Sequence, residues 1–233
     1  HKLGVWRNPE MKLISLTTQT VANGTMKAHP TVIACYDMPT VKAQLKLTYT
    51  IFEKGELNVK MQMTTDKNAK VSDMLRFGMV MQMPYNMDQI RYFGRGPIEN
   101  YSDRKASERI GIYKQTADNQ FFPYIRPQEN GTKQDVKWWQ QTNASGTGLE
   151  IHGELGDLSM SALHYAIADL DDGLEKGQRH SYQVKKSPFT NLCIDKEQTG
   201  VGGTNSWGEW PLERYRLHYG DRTYEFLLRP IVK

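Results

Sequence analysis

The sequence has few cysteines and no long apolar segment. Its 233 residues include two cysteines, Cys35 and Cys193. No apolar run approaches the roughly 18 residues that a membrane-spanning helix needs. The two cysteines lie far apart and have no metal-ligand spacing, so we expect buried free thiols, with a disulfide as the alternative. These absences argue against a membrane partner and against a cysteine-ligated metal.

Clusters of basic residues are also absent. The chain carries 30 Lys and Arg against 26 Asp and Glu, a net charge of +4. Lysines such as Lys42, Lys46, Lys54 and Lys60 are spaced along the chain, which is typical of solvated strand faces and argues against a nucleic-acid partner. The chain starts at His1 without a methionine or a visible signal peptide, which indicates an excised or processed piece and assigns no compartment.

Alternation of apolar and polar residues dominates the first half of the chain. Apolar residues at the odd positions of 41–51 predict a strand with one buried face. The tetrapeptide EKGE at 53–56 predicts a hairpin turn, and the alternation continues over 57–63 and 75–83. The methionines of these runs are interpreted as core filler.

The second half contains shorter strand-like runs, separated by Gly, Asp, Asn or Pro. They cover residues 149–155, 158–167, 180–186, 190–196, 213–220 and 223–232. The only helix candidate is 168–176, ended by Gly177. We therefore predict an all-β fold, one antiparallel two-sheet sandwich over residues 1–233, and keep two small domains divided near residue 90 or 145 as the alternative.

The segment RYFGRGPIENYSDRKASERIGIY at 91–113 is the densest in functional residue types. Its glycines Gly94 and Gly96, with Pro97, are expected to impose an irregular backbone. Its polar side chains are Arg95, Glu99, Asn100, Asp103 and Arg104. They could form a polar loop at a site, but an ion-pair and hydrogen-bond network that holds the loop in one shape is the favoured interpretation.

A second segment, PYIRPQENGTKQDVKWW at 123–139, has a similar style. Asn130-Gly131 predicts a turn. If Trp138 and Trp139 lie on a strand, they face opposite sides and one is more exposed than the other. An exposed aromatic ring can stack on a sugar, although core or interface packing is the commoner reason for such residues.

No side-chain constellation of an independent enzyme stands out. Paired carboxylates of a glycosidase could come from Glu99 with Asp103, Glu150 with Glu154, or Asp171 with Asp172, but none stands in a distinctive motif. The histidines His152, His164 and His180 are expected to be structural, and no nucleophile elbow is present. Three Asn-x-Ser/Thr sequons occur, at Asn23, Asn130 and Asn143.

The stretch GVGGTNSWGEW at 200–210 combines four glycines with two tryptophans. Glycine permits sharp turns and close backbone approach, and tryptophan offers a large apolar plate. We expect Gly200, Gly202 and Gly203 to shape a turn that leaves its strand and presents Trp207. Trp210, which precedes Pro211, is expected to pack beneath that turn.

Three of these motifs, taken in order, resemble one family. YFGRGPIENYSDR, PYIRPQENG and GVGGTNSW are similar to the GRGP-x-ENY-x-DR, Y-x-x-P-x-ENG and G-x-GG-x-x-SW motifs in the C-terminal domain of large bacterial β-galactosidases of glycoside hydrolase family 2. The resemblance spans nearly the whole chain. It implies a β-supersandwich of the galactose-mutarotase-like type, which agrees with the all-β prediction.

The resemblance also implies a division of labour with the rest of a longer enzyme. The catalytic glutamates of the family lie in a separate (β/α)₈ barrel domain, so this piece is expected to be inactive alone. Its implied role is to close one side of the pocket, with Trp207 stacking on the galactoside substrate and Asn205 beside it. Other domains of the parent enzyme are the implied partners, no metal or cofactor is assigned to this domain, and homo-oligomerisation of the parent stays open.

The sequence departs from the family in two places. Thr204-Asn205 replaces the two aspartates that the best-known members carry before the Ser-Trp pair, which puts polar contacts from that turn in doubt. The chain also begins at KLGVWRNP, just after the APTDND-type segment expected in the family.

Two other functions remain open from the residues. An aldose epimerase would share the implied fold, but it needs a general acid and base, and no recognisable mutarotase histidine motif is present. A free-standing carbohydrate-binding module would require the aromatic platform to bind sugar without the barrel.

Overall fold

The fold consists of β-strands joined by loops and short helical turns. The computed structural model describes residues 2–21, 28–171, 177, 179–203, 205 and 208–232. The strands in these ranges are β1 (Lys12–Val21), β2 (His29–Met38), β3 (Ala43–Ile51), β4 (Leu57–Thr65), β5 (Arg76–Pro84), β6 (Gln89–Gly96), β7 (Arg109–Thr116), β8 (Lys133–Val136), β9 (Trp138–Thr142), β10 (Gly148–Gly153), β11 (Leu158–Leu163), β12 (Phe189–Gln198) and β13 (Arg222–Ile231). The helical turns are α1 (Ala117–Gln120) and the 3-10 turns Lys2–Trp6, Pro39–Val41, Ile167–Leu170, Ser181–Gln183 and Glu213–Tyr215.

The strands form two antiparallel sheets. The large sheet has nine strands in the order β1-β2-β3-β4-β13-β10-β9-β6-β7, and the small sheet has the order β5-β12-β11-β8. Apolar side chains from both sheets join in one core cluster, with Met61 and Phe226 from the large sheet and Met160 and Leu192 from the small one. The predicted all-β fold, an antiparallel sandwich, is confirmed.

Alternation places one face of β3 and β4 in the core. Ala43, Leu45 and Leu47 are buried between exposed polar residues, as a strand with one solvated face requires. The predicted turn is present, since the Gly55 amide donates to the Phe52 carbonyl at 3.0 Å. The strand begins two residues later than predicted because Lys42 has a left-handed φ of 50° and follows a 3-10 turn.

A buried aromatic pair occupies the middle of the large sheet. The rings of Trp139 and Tyr92 stack with centroids 5.2 Å apart, and both residues are fully buried. The Trp139 Nε1 donates to Gln141 Oε1 at 2.9 Å, so burial leaves its polar atom satisfied. Trp138 points to the other face and is half-buried, 5.0 Å from the Arg91 guanidinium. The prediction that the two tryptophans differ in exposure is confirmed.

Two runs predicted as strands are 3-10 turns instead. In 180–186 the chain turns at Ser181–Gln183, where the Val184 amide donates to the Ser181 carbonyl at 3.2 Å and the Val184 side chain joins a small second core cluster. In 213–220 the chain turns at Glu213–Tyr215, and only Leu217 forms an isolated bridge, with Met74. In 180–186 the misleading pattern comes from two buried residues three positions apart, Ser181 and Val184.

The predicted helix over 168–176 is also wrong over its described part. A single 3-10 turn covers Ile167–Leu170, and Asp171 has the extended dihedrals φ −97° and ψ 126°. Residues 172–176 lie outside the described residues. No helix among the described residues is long and apolar enough to cross a membrane.

Both cysteines are free, as expected, but only one is buried. Cys193 on β12 is buried, whereas Cys35 on β2 has intermediate exposure. Cys35 lies opposite the exposed Lys46 of β3, on the outer face of the large sheet, which explains its partial exposure. Methionines of the core, among them Met63 and Met74, are buried, as their interpretation as core filler requires.

The close approach of β5 and β12 yields a stability prediction. A Cβ at Gly78 would lie 2.5 Å from Asp195 Cα and 2.7 Å from the Ile194 carbonyl oxygen. Gly78→Ala should therefore lower the free energy of unfolding by roughly 1–3 kcal/mol, the usual cost of overpacking. Gly4→Ala is the control, because nothing lies within 4 Å of its added Cβ. Equal urea midpoints for the two variants of the 233-residue chain would contradict the prediction.

Candidate functional site

The three motif-bearing segments meet at one end of the sandwich. They are the connection from β6 to β7 (97–108), the connection from α1 to β8 (121–132) and the segment after β12 (199–203). The backbone N–H of Asn100 donates to the Thr132 carbonyl at 2.8 Å and joins the first two segments. The Gly202 amide donates to the Asp103 carboxylate at 2.8 Å and joins the first and third. We call this region the motif end.

The glycines of the first motif lie in β6 and allow close packing. Gly94 and Gly96 both pair with β7. A Cβ at Gly94 would lie 3.0 Å from Val136 Cα, so only glycine lets β6 and β8 approach this closely. The expectation of an irregular backbone is therefore wrong at Gly94, whereas Gly96 ends the strand and its peptide bond to Pro97 is cis.

Asn100 holds the first connection in place. Its fully buried side chain donates from Nδ2 to the carbonyls of Arg95 and Ile98, at 3.0 and 2.9 Å. Its Oδ1 accepts from the Gln134 amide at 2.9 Å. Buried backbone groups need such partners in the absence of water. The Asn100 side chain supplies them here, as a paired strand would elsewhere.

Glu99 binds three donors and fixes the second connection. Its carboxylate accepts from Arg104 Nη2 at 2.6 Å, from the Gly131 amide at 2.8 Å and from the Tyr124 hydroxyl. The Arg104 guanidinium also lies 5.2 Å from the Tyr101 ring centroid. The favoured interpretation of the motif, a network that holds the loop, is confirmed.

Asp135 forms the centre of a second ion cluster. It pairs with Arg95 Nε at 2.6 Å and with Lys105 Nζ at 2.8 Å. Partial burial acts to raise the pKa of Asp135, but Lys105 and Arg95 outweigh it and hold the pKa below its usual value. This carboxylate is therefore an ion at neutral pH and serves the network rather than proton transfer.

Lys133 is the most buried cation of the motif end. It is 1% exposed, and its Nζ donates to the Gly131 carbonyl at 2.9 Å. Burial lowers its pKa to about 8, although the more distant Glu99 and Glu108 oppose the shift. No sequence signal separates this lysine from the exposed ones.

Asp103 clamps the glycine-rich segment by its backbone. Its carboxylate accepts from the Val201 amide at 3.2 Å and from the Gly202 amide at 2.8 Å. A Cβ at Gly200 would lie 2.5 Å from Asp103 Cγ, which explains the glycine there. The Gly200 amide in turn donates to the Tyr215 carbonyl at 2.8 Å and closes the base of the loop 200–215.

The two predicted substrate-binding residues lie on this loop. Trp207 lies outside the described residues, as do Thr204 and Ser206. Asn205 is exposed. Trp210 is 39% exposed and has the Arg216 guanidinium 4.9 Å from its ring centroid, so it is not a core residue.

The histidines take structural positions, as expected. His164 is buried, stacks on Tyr85 at 3.7 Å and contacts Asp118 through Nδ1 at 2.9 Å. His152 Nε2 lies 2.6 Å from Glu150 Oε1.

The remaining candidate carboxylates form no isolated pair among the residues described. Glu99 and Asp103 bind the donors given above, and Asp171 pairs with Arg7. Its neighbour Asp172 lies outside the described residues. Within the described part of the chain, no group of three His, Cys, Asp or Glu residues could hold a metal ion.

Beside the motif end, the outer face of the small sheet carries a cleft of about 640 Å³. Arg76 lies at its floor, bound to Glu129 Oε2 at 2.7 Å, to Cys193 Sγ at 3.0 Å and, at 3.5 Å, to Asp195. Burial acts to lower the pKa of Arg76, but Asp195 and Glu129 outweigh it and raise the pKa. The lining residues come from distant parts of the sequence: one stretch, 126–130, belongs to the PYIRPQENG motif, and the strand residues around it, such as Val80 and Cys193, stand in no motif.

Burial controls the other titratable groups of the cleft floor. It raises the pKa of the Cys193 thiol to about 11, so the sulfur stays protonated at neutral pH and is a poor nucleophile. It also raises the pKa of Asp195 to about 6, against the opposing effect of Arg76. The floor is therefore a polar network in which Arg76 pairs with both carboxylates, although the buried Asp195 Oδ1 has no hydrogen-bond partner among the described residues.

The sequence has relatives among curated proteins named β-galactosidase. A family model described as Beta galactosidase small chain matches residues 1–228. The β-galactosidase of Priestia megaterium is 32% identical over 191 residues, which cover 81% of this chain and 18% of that enzyme. The β-galactosidase of Photobacterium profundum is 28% identical and is matched over 98% of this chain and 20% of its own length. The chain thus spans about a fifth of the curated relatives it matches.

One solved structure shares the fold. The galactosidase domain of the α-galactosidase-sucrose kinase AgaSK superposes with a TM-score of 0.53, covering 96% of this chain and 28% of that chain. The sequences are 11% identical, so the likeness concerns the fold alone.

Lys133 yields a prediction on pH dependence. Because the folded pKa is lowered, the folded state releases the proton first, and stability should rise as pH increases from about 8 towards 10.5. Lys133→Met should remove this rise and increase the free energy of unfolding at pH 7 by roughly 1–3 kcal/mol. The control is Lys46→Met on the exposed face of β3. Identical stability–pH curves for the two variants would refute the assignment.

Proposed function

Because the chain belongs to the β-galactosidase small chain family, we propose that it is the non-catalytic domain of a larger β-galactosidase that hydrolyses terminal β-D-galactosides. Its part is to complete the substrate pocket with the loop 200–215. The catalytic carboxylates belong to another domain of the same enzyme, called the full-length enzyme below.

The observation that carries this proposal is the anchoring of the loop 200–215. Two backbone amides bind the Asp103 carboxylate, and the Gly200–Tyr215 hydrogen bond closes the loop at its base. Behind the base, Thr199 Oγ1 donates to the Met74 carbonyl at 2.7 Å. A loop with a fixed base and exposed residues beyond it is suited to contact a ligand.

Trp207 supplies an apolar plate in this proposal. The C–H face of a galactopyranose ring is apolar, so it stacks on an aromatic ring that remains open to solvent. Asn205, exposed on the same loop, offers an amide that can both donate to and accept from sugar hydroxyls. Together they would orient the galactoside and exclude water on one side, and proton transfer would fall to the other domain.

The carboxylates of the motif end support a positioning role rather than catalysis. Glu99 has three donors and Asp135 has two cationic partners. A general acid or base needs a free proton position next to the substrate. The oxygen atoms of these side chains instead accept hydrogen bonds that hold the loops.

Trp207→Ala in the full-length enzyme tests the stacking contact. Loss of a contact worth roughly 0.5–1.5 kcal/mol should raise KM for a galactoside several-fold, up to about tenfold. Trp207→Phe should keep part of the affinity, and Trp210→Ala, on the same loop, is the matched control. Unchanged KM and kcat in Trp207→Ala would defeat the platform role.

Asp103→Asn tests whether the clamp positions the loop. The amide nitrogen of the variant would face a backbone N–H, so one of the two hydrogen bonds is lost. KM should rise several-fold in the wild-type background and change little more in the Trp207→Ala background, because both changes act on one contact. Independent, additive effects on KM would show that Asp103 does not act through Trp207.

A further inference from the structure

An exposed apolar ridge borders the cleft on the small sheet. It consists of Phe122, Ile125 and Tyr182, which are 53%, 84% and 84% exposed. Ile125 and Tyr182 lie on two neighbouring loops, since His180 Nδ1 donates to the Ile125 carbonyl at 3.2 Å. Three large exposed apolar side chains on two loops that contact each other are typical of an interaction surface.

The backbone of the ridge is held firmly although its side chains are exposed. Asn130 brackets Phe122, accepting from its amide at 2.8 Å and donating to its carbonyl at 2.5 Å. The Ser181 hydroxyl donates to the Tyr124 carbonyl, and the Tyr124 hydroxyl donates to Glu99. These bonds hold the backbone of the two loops that carry the ridge.

The apolar surface continues from the ridge across the cleft. Arg126 and Pro127, which follow Ile125 directly, line the near side of the cleft. Other lining residues are apolar and exposed, namely Leu75, Val80 and Ile167 at 52%, 57% and 42%. This wall provides hydrophobic contact over a larger area than the ridge alone.

The floor of the cleft favours a protein segment over a small ion. The Arg76 charge is already compensated by Glu129 and Asp195, so the floor holds no excess charge for an anion. Exposed polar side chains at the edge, such as Gln82, surround the apolar wall. An apolar centre with a polar rim is the usual composition of a protein–protein contact.

We propose that the ridge and the cleft form the docking face for another domain of the same polypeptide. This inference rests on the proposed function only in requiring that the chain be one domain of a longer enzyme. The curated relatives are about five times longer than the matched segment. In an enzyme of that length another domain is covalently linked and therefore present at high effective concentration. The ridge is linked to the motif end through the Tyr124–Glu99 hydrogen bond. The loop 200–215 is anchored at the same end, so one neighbouring domain can contact both the loop and the ridge.

Site-specific photo-cross-linking in the full-length enzyme tests the docking face. The cross-linking amino acid p-benzoylphenylalanine replaces Ile125 in one variant and Tyr182 in a second. A third variant carries it at Val232, which is 82% exposed and serves as the matched control. After irradiation, both ridge positions should give a product of monomer mass, with the cross-link mapped to a segment outside these 233 residues. The Val232 variant should give none.

Two other outcomes would overturn the proposal. A product of twice the monomer mass would assign the ridge to a second copy of the enzyme, and no product at either position would show that the face is free. Adding Ile125→Asp to the Tyr182 variant should abolish the intramolecular product, whereas adding Val232→Asp should leave it. The readout is independent of turnover, so failure of the docking face is distinguishable from failure of the Trp207 contact, which KM reports.

Discussion

The buried Asn100 amide is the interaction on which the motif end depends. One side chain satisfies the Arg95 carbonyl at the end of β6, the Ile98 carbonyl of its own connection and one backbone amide of β8. Loops of this length normally run over the surface because their backbone groups need water. Here the Asn100 side-chain amide replaces the water, so the long connection from β6 to β7 can pack against a sheet. As a result Asp103, on the same connection, has a defined position.

The carboxylates of the motif end mainly hold its loops in place. Glu99, Asp135 and Asp103 each bind two or more donors, and many of those donors are backbone amides or guanidinium groups. These contacts fix the conformation of the loops. Because the carboxylates are occupied by donors, they are poorly placed for proton transfer.

The sequence predicted the fold wherever one strand face was buried and the other solvated. β3 and β4 alternate clearly because their outer face is open to water. β11 is buried at all six positions, since Met160 faces the core and Ser161 lines the covered outer face, so periodicity says little there. The segment 180–186 looked like a strand because its 3-10 turn buries residues three apart, Ser181 and Val184. In 213–220 the more buried residues do alternate, but Leu217 forms only an isolated bridge with Met74.

The candidate site could be predicted only in part. The three motifs pointed to the segments that carry the polar network, but their meeting at one end is seen only in the structure. The cleft could not be predicted, because Arg76 and Cys193 lie 117 positions apart and meet only through the pairing of β5 with β12. The role of Gly94 was also hidden, because a glycine required by the neighbouring Val136 looks the same in sequence as one required by a turn.

The bracket that Asn130 forms around Phe122 has a consequence for how the protein can be made. Asn130 stands in an Asn-Gly-Thr sequon, yet it is 3% exposed and its side-chain nitrogen donates to the Phe122 carbonyl. N-linked glycans are attached to this same nitrogen. In a eukaryotic secretory host, sugar transfer and folding would therefore compete for one atom, and a chain glycosylated there could not close the loop.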